Sequence, residues 1–215
     1  KYKLFIIEDA AQSIGSKNSN KMAGELGNIG CFSSHPLKNL NSLGDGGYLV
    51  TNNRKLYLKA KLLRSHGIED RNIVKQFGYV SRMDNLQAAI LNYRLKKLDK
   101  VIKIRRRNAK RYFKKINTKY VTLPLETSKE FNTYHTFVIQ AKKRDLLKKY
   151  LFKNGVETTI HYPVPIHLQP ASNFLKYKSG DFPNCEKQSR TILTLPIHQN
   201  LKINEIDYIS NLINR

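Results

Sequence analysis

Two short apolar runs, each leading to a group with chemistry, constrain this chain more than anything else in it. Leu4-Phe5-Ile6-Ile7 runs into Glu8-Asp9, and the run holding Ile29, Cys31 and Phe32 is followed closely by Lys38. In an open parallel α/β sheet, ligands gather outside the carboxyl ends of the strands, so Asp9 and Lys38 are directed toward one site. Singly, neither residue means much: an Asp at a strand end is usually a turn or cap residue, and a Lys is usually solvated. The order of the surrounding residues is what adds weight.

A carboxylate and an amine with polar neighbours are what pyridoxal phosphate needs, the amine joining the cofactor aldehyde and the acid keeping the pyridine nitrogen protonated. Asp9-Ala10-Ala11-Gln12 is followed by Gly27-x-x-Gly30-x-Phe32-Ser33-x-His35-Pro36-x-Lys38-Asn39 and then Gly44-Asp45-Gly46-Gly47. Further runs are Leu63-Arg64-Ser65-His66-Gly67, Ser81-Arg82-Met83-Asp84-Asn85-Leu86-Gln87-Ala88-Ala89, Gly155-Val156-Glu157-Thr158-Thr159-Ile160-His161-Tyr162-Pro163, His167-Leu168-Gln169-Pro170-Ala171 and Leu193-x-Leu195-Pro196. In this order they resemble the DegT/DnrJ/EryC1/StrS sugar aminotransferases, a family of fold type I enzymes dependent on pyridoxal phosphate.

The resemblance implies an α/β fold, comprising part of a fold type I large domain and a small C-terminal α/β domain. It implies Lys38 as the lysine that joins the cofactor and later acts as base in the proton shift. It implies Asp9 as partner of the pyridinium nitrogen, Gln12 against the ring or its phenolic oxygen, and Ser33 as donor to the phosphate. His161 and Tyr162 resemble substrate-side contacts. The expected reaction moves an amino group from an amino acid, glutamate being favoured, to a keto-sugar on a nucleoside diphosphate, for polysaccharide or glycan synthesis. Family members are homodimers. In a dehydratase branch a histidine replaces the lysine, so Lys38, with His35 before it, favours amino transfer.

Two departures stand out. Many members carry an asparagine that reaches the phosphate of the neighbouring subunit, where this chain has Val80, which cannot donate. The chain opens at Lys1 inside the strand leading to Asp9, so the expectation is an N-terminally truncated piece. The missing half would bring a phosphate-binding turn at a helix N-terminus and an aromatic that stacks on the ring. Exposed apolar surface on the first strands, poor solubility and doubtful activity of the piece alone are therefore expected.

The 215 residues are enough to bury a sizeable core. A formal charge of +23, from 39 Lys+Arg against 16 Asp+Glu, raises nucleic-acid binding as a rival. The basic residues concentrate in 94–115, which reads as one long helix whose apolar positions from Leu86 to Ile116 repeat near helical spacing. The charge then falls on its solvated face, and doublets such as Lys96-Lys97 and Lys142-Lys143 suggest compositional bias, so nucleic acid is not expected as a partner. The other rival is a family member turned regulator, which loss of Lys38 or Asp9 would have favoured.

Cys31 and Cys185 are far apart and lack metal-ligand spacing, as do the histidines, so no metal is expected. Cys31 reads as a small buried residue. No apolar stretch is long enough to span a bilayer and no secretory signal is visible, which makes a cytoplasmic location the default expectation.

Along the chain, residues 1–119 are expected to form the cofactor-binding part with its long connecting helix, and 120–215 the small domain. Tyr48-Leu49-Val50-Thr51 reads as a strand, 55–65 as a helix, and Ser81-Arg82-Met83-Asp84 as a capping box. In the small domain, strands are expected over 134–139 and 158–162, and helices over 144–154, 186–193 and 204–214. Gly155 is placed to end the first of these helices.

Overall fold

The computed structural model describes residues 2–215. The architecture is α/β, as expected, with parallel and antiparallel pairing and flanking helices, and the chain divides into two compact units. One comprises Lys1–Lys103 and Glu126–His135, the other Ile104–Leu125 and Thr136–Arg215.

In the first unit, β1 (Ile7–Asp9) opens the chain, followed by the hairpin of β2 (Lys17–Asn18) and β3 (Lys21–Met22). Strands β4 (Ile29–Ser33) and β5 (Gly47–Val50) follow. β1 pairs parallel with β4, placing Asp9 opposite Cys31, and β5 pairs antiparallel on the other side. Phe5 and Ile7 are 79% and 72% exposed, which matches the expected apolar surface on the first strands. Cys31 is half-buried, less enclosed than its apolar run suggests, because alternate side chains of β4 point inward and it falls between the buried Gly30 and Phe32.

Asn53 starts α1 (Arg54–Leu63), its Oδ1 accepting from the amides of Lys55 (2.9 Å) and Leu56 (3.2 Å). A two-stranded ribbon, β6 (Ile68–Asp70) and β7 (Ile73–Val74), leads toward α2 (Asn85–Leu95). The expected capping box does not form. Ser81 lies too far ahead of Asn85 to reach the helix, and its amide donates instead to the carbonyl of Arg64 at 2.9 Å.

Nor is 94–115 one helix. α2 ends at Leu95 and α3 (Leu98–Lys115) follows after a turn in which the amide of Lys97 donates to the carbonyl of Arg94 at 2.9 Å. No Gly or Pro marks the break, so nothing in the composition announced it. Leu40, Leu91, Leu98 and Ile102 make the unit's core, with Ile14 and Met83 packed against it. β8 (Glu130–Phe131) adds a third strand to the β2–β3 hairpin.

The second unit is built on β9 (Phe137–Gln140), α4 (Arg144–Lys153), α5 (Pro183–Thr191), β10 (Ile192–Leu195) and α6 (Ile203–Ile213). β9 and β10 pair antiparallel, and Thr122 and Thr159 each add a single bridge. The strand expected over 158–162 is reduced to the Thr159 bridge, because Pro163 and Pro165 follow at once and cannot donate to a ladder. The helix expected through Leu193 stops at Thr191, and Ile192–Leu195 becomes the strand that pairs with β9.

α4 ends as Gly155 suggests. Gly155 takes a left-handed φ of 75°, its amide donates to Phe152, and that of Val156 reaches back to Leu151. Tyr112, Phe137, Ile139, Leu151, Leu193 and Ile206 fill the core, with the rings of Tyr112 and Phe137 5.0 Å apart.

Candidate active site

The parallel pairing of β1 and β4 brings their carboxyl ends side by side, Asp9 closing one strand and Ser33 the other. The Asp9 side chain is exposed, and one carboxylate oxygen accepts the amide of Ala11 at 3.0 Å. That bond orients the carboxylate and leaves its other oxygen available. Gln12 is exposed just beyond.

Ser33 is half-buried, and its Oγ accepts the amide of His35 at 3.3 Å. The chain then turns, the amide of Lys38 donating to the carbonyl of His35 at 2.8 Å. His35 Nδ1 accepts the amide of Leu37 at 3.2 Å, so the proton of the neutral ring sits on Nε2, 3.9 Å from Asp45 Oδ1. Lys38 is half-buried, and among the described residues no hydrogen bond or ion pair engages its ammonium. An acid, a hydroxyl and an uncommitted amine therefore come from two adjacent strand ends and the turn that follows.

The loop bearing Lys38 is held from several sides. Ser42 donates through both its amide (2.8 Å) and its Oγ (2.7 Å) to the carbonyl of Ser34, whose own amide donates to Gly46 at 2.9 Å. Asn39 Nδ2 donates to the carbonyl of Thr133 at 3.3 Å. From α2, Arg94 Nη1 donates to the carbonyls of Asn41 (2.8 Å) and Ser42 (3.2 Å), and Gln87 Oε1 accepts the amide of Leu43 at 2.7 Å. A Cβ on Gly46 would meet Ser34 Oγ at 2.7 Å, and one on Gly47 would meet the carbonyl oxygen of Phe32 at 2.6 Å. Both glycines thus have a steric reason to carry no side chain. Nothing in the spacing of Arg94 and Asn39 along the sequence marks them as supports of this loop.

Two buried oxygens here, Ser34 Oγ and Asn39 Oδ1, have no hydrogen-bond partner. The donor set fits pyridoxal phosphate chemically: a carboxylate for a protonated ring nitrogen, a hydroxyl for a phosphate, an unpaired amine for an aldehyde.

A separate groove of about 1480 Å³ runs between β5, α1 and α2, with Phe32, Leu40 and Leu91 as apolar lining and Lys61, Arg64 and Arg82 as its cations. It does not include Asp9, Ser33 or Lys38. Val80 lines it and pairs with Ser65 in an isolated bridge.

His161 and Tyr162 belong to the second unit. His161 Nδ1 lies 3.0 Å from Thr194 Oγ1, and Tyr162 is exposed. On α3 most basic side chains face outward, as expected, but Arg105 is buried, and burial lowers its guanidinium to about 10. Among the described residues no group of His, Cys, Asp and Glu is arranged to hold a metal, and no helix is long and apolar enough to cross a membrane.

The family model described as the DegT/DnrJ/EryC1/StrS aminotransferase family matches residues 1–214. The chain is 38% identical over 209 residues to a pleiotropic regulatory protein of Geobacillus stearothermophilus, covering 96% of this chain and 56% of the relative. It is 36% identical to a dTDP-3-amino-3,6-dideoxy-alpha-D-galactopyranose transaminase of Aneurinibacillus thermoaerophilus, covering 100% of this chain and 59% of the relative. Among solved structures, S. venezuelae DesV in complex with a ketimine intermediate superposes with a TM-score of 0.94 at 32% identity, over 98% of this chain and 57% of that one. The chain thus spans somewhat over half the length of the relatives it matches.

Proposed function

The chain belongs to the DegT/DnrJ/EryC1/StrS aminotransferase family, and from that premise we propose that it serves pyridoxal-phosphate-dependent amino transfer to a nucleotide-linked keto-sugar. The amino donor in this reading is glutamate, and the working assembly is a homodimer of the full-length protein. The observation that supports it is the placement of Asp9 and Ser33 at the adjacent carboxyl ends of β1 and β4, with the uncommitted Lys38 in the turn that follows. The transaminase name of the Aneurinibacillus relative supports the substrate class.

When bound, the cofactor supplies an electron-withdrawing ring that acidifies the carbon next to the transferred nitrogen. The remaining work falls to this chain's residues. Asp9 holds a proton on the ring nitrogen, since an ion pair favours the charged form of both partners. Ser33 Oγ donates to the phosphate, and Gln12 lies against the ring or its phenolic oxygen. Lys38 Nζ takes the proton from the amino-acid carbon and returns it further along, which needs a neutral amine within reach of both atoms. His161 and Tyr162 are assigned to the substrate.

A regulatory role is the second reading, favoured by the name of the Geobacillus relative. Retention of Lys38 and Asp9 weighs against a purely non-catalytic one. The deciding test incubates the cofactor-loaded protein with isotopically labelled glutamate and follows 2-oxoglutarate. Release by wild type and none by Lys38→Ala or Asp9→Asn supports amino transfer. Equal release by wild type and Lys38→Ala contradicts it.

A further inference from the structure

The turn that presents Lys38 has no regular structure of its own and lies between β4 and β5. A loop of this kind keeps many conformations unless other elements fix it, and an amine on a loosely held loop spends little time where it can react. Most of its internal bonds join it to itself: Ser42 to Ser34, and Ser34 to Gly46. From α2 come two side chains. Gln87 accepts one loop amide, and Arg94 reaches the carbonyls of Asn41 and Ser42 with a single nitrogen.

Arg94 is half-buried in the last turn of α2, where a cation also favours the helix dipole. A dipole role would be satisfied by any cation and would not require contact with the loop. The two carbonyl contacts go beyond it. A charged donor to a carbonyl is stronger than a neutral one, and two acceptors on consecutive residues fix both position and twist of the backbone. Asn41 and Ser42 follow Lys38 closely, so fixing them limits where the Lys38 side chain can start from.

We propose that Arg94 is a positioning residue, which through the Asn41 and Ser42 carbonyls holds the loop that aims Lys38. This rests on the reading of Lys38 as the reactive amine. It assigns to α2 a share in the site that touches neither cofactor nor substrate.

The test compares wild type, Arg94→Met and Arg94→Lys of the whole chain by two readouts. The first is amide hydrogen exchange without cofactor. The second is the selectivity with which pyridoxal phosphate and borohydride label Lys38 over the other lysines. Arg94→Met keeps the stem and removes the donors. Exchange at Ser42 and Leu43 should rise by roughly tenfold while α1 and α6 keep wild-type rates, the mark of a local opening. Lys38 selectivity should fall by a similar factor, and Arg94→Lys, which can still donate, should recover at least half of it. Unchanged loop exchange, or exchange that rises equally in α1, overturns the proposal. So does Arg94→Met with wild-type selectivity. A wild-type protein with no preference for Lys38, in this chain and in a version extended to its relatives' full length, overturns instead the reading on which the proposal rests.

Discussion

His167 Nε2 lies 3.1 Å from Glu186 Oε1, with both side chains buried in the second unit. The same carboxylate accepts the amides of Gly180 (2.8 Å) and Phe182 (3.4 Å) and the hydroxyl of Ser179 (3.2 Å), so one group ties the 179–182 segment to α5. The ring of Phe182 completes the contact, 4.7 Å from that of His167.

These donors, the Gly180 amide first, hold the Glu186 carboxyl below its ordinary value. A depressed folded pKa stabilises the protein above the unfolded pKa, and that stability is lost as pH falls through the folded value. Glu186→Gln should therefore lower the thermal midpoint by several degrees at neutral pH, and the deficit should shrink below about pH 4. Thermal melts of both proteins from pH 3 to 7 check this. A deficit that stays constant across the range contradicts it.

Tyr112 is fully buried, and its hydroxyl donates to the carbonyl of Pro196 at 2.9 Å. Burial raises the phenol well above its usual value, so it remains a donor throughout the physiological range. Tyr112→Phe keeps the ring and strands the carbonyl, which should cost about 1–3 kcal/mol in urea unfolding.

Gly47 and Gly155 should both resist substitution, for different reasons. A Cβ at Gly47 would lie 2.6 Å from the Phe32 carbonyl oxygen, so Gly47→Ala must shift the β4–β5 pair, at about 1–3 kcal/mol. At Gly155 nothing lies within 4 Å of a Cβ, but the φ of 75° remains, and Gly155→Ala should cost only about 1–2 kcal/mol. Denaturant melts order the pair.

How much of this was legible in advance depends on the range of the interaction. The strand at Tyr48, the helix over 55–65 and the stop at Gly155 rest on neighbours, and composition marks them. The order of Asp9, Ser33 and Lys38 follows a family motif, and the parallel β1–β4 register sets the strand ends that carry Asp9 and Ser33 side by side. The break after Leu95 was not legible, since an ordinary Lys-Lys pair occupies it. Nor was the strand Ile192–Leu195, whose residues fit a helix equally well until β9 pairs with them. The Arg94 contacts, 52 and 53 residues away in sequence, leave no local trace at all.

The central claim is that Lys38 is the amine that takes the cofactor. The most direct measurement mixes the protein with pyridoxal phosphate, reduces with borohydride and maps the modified lysines by mass spectrometry, with Lys38→Ala as control. Labelling concentrated on Lys38, far above every other lysine, is the result predicted. Labelling spread evenly over the lysines, in this chain and in a version extended to its relatives' full length, would contradict it.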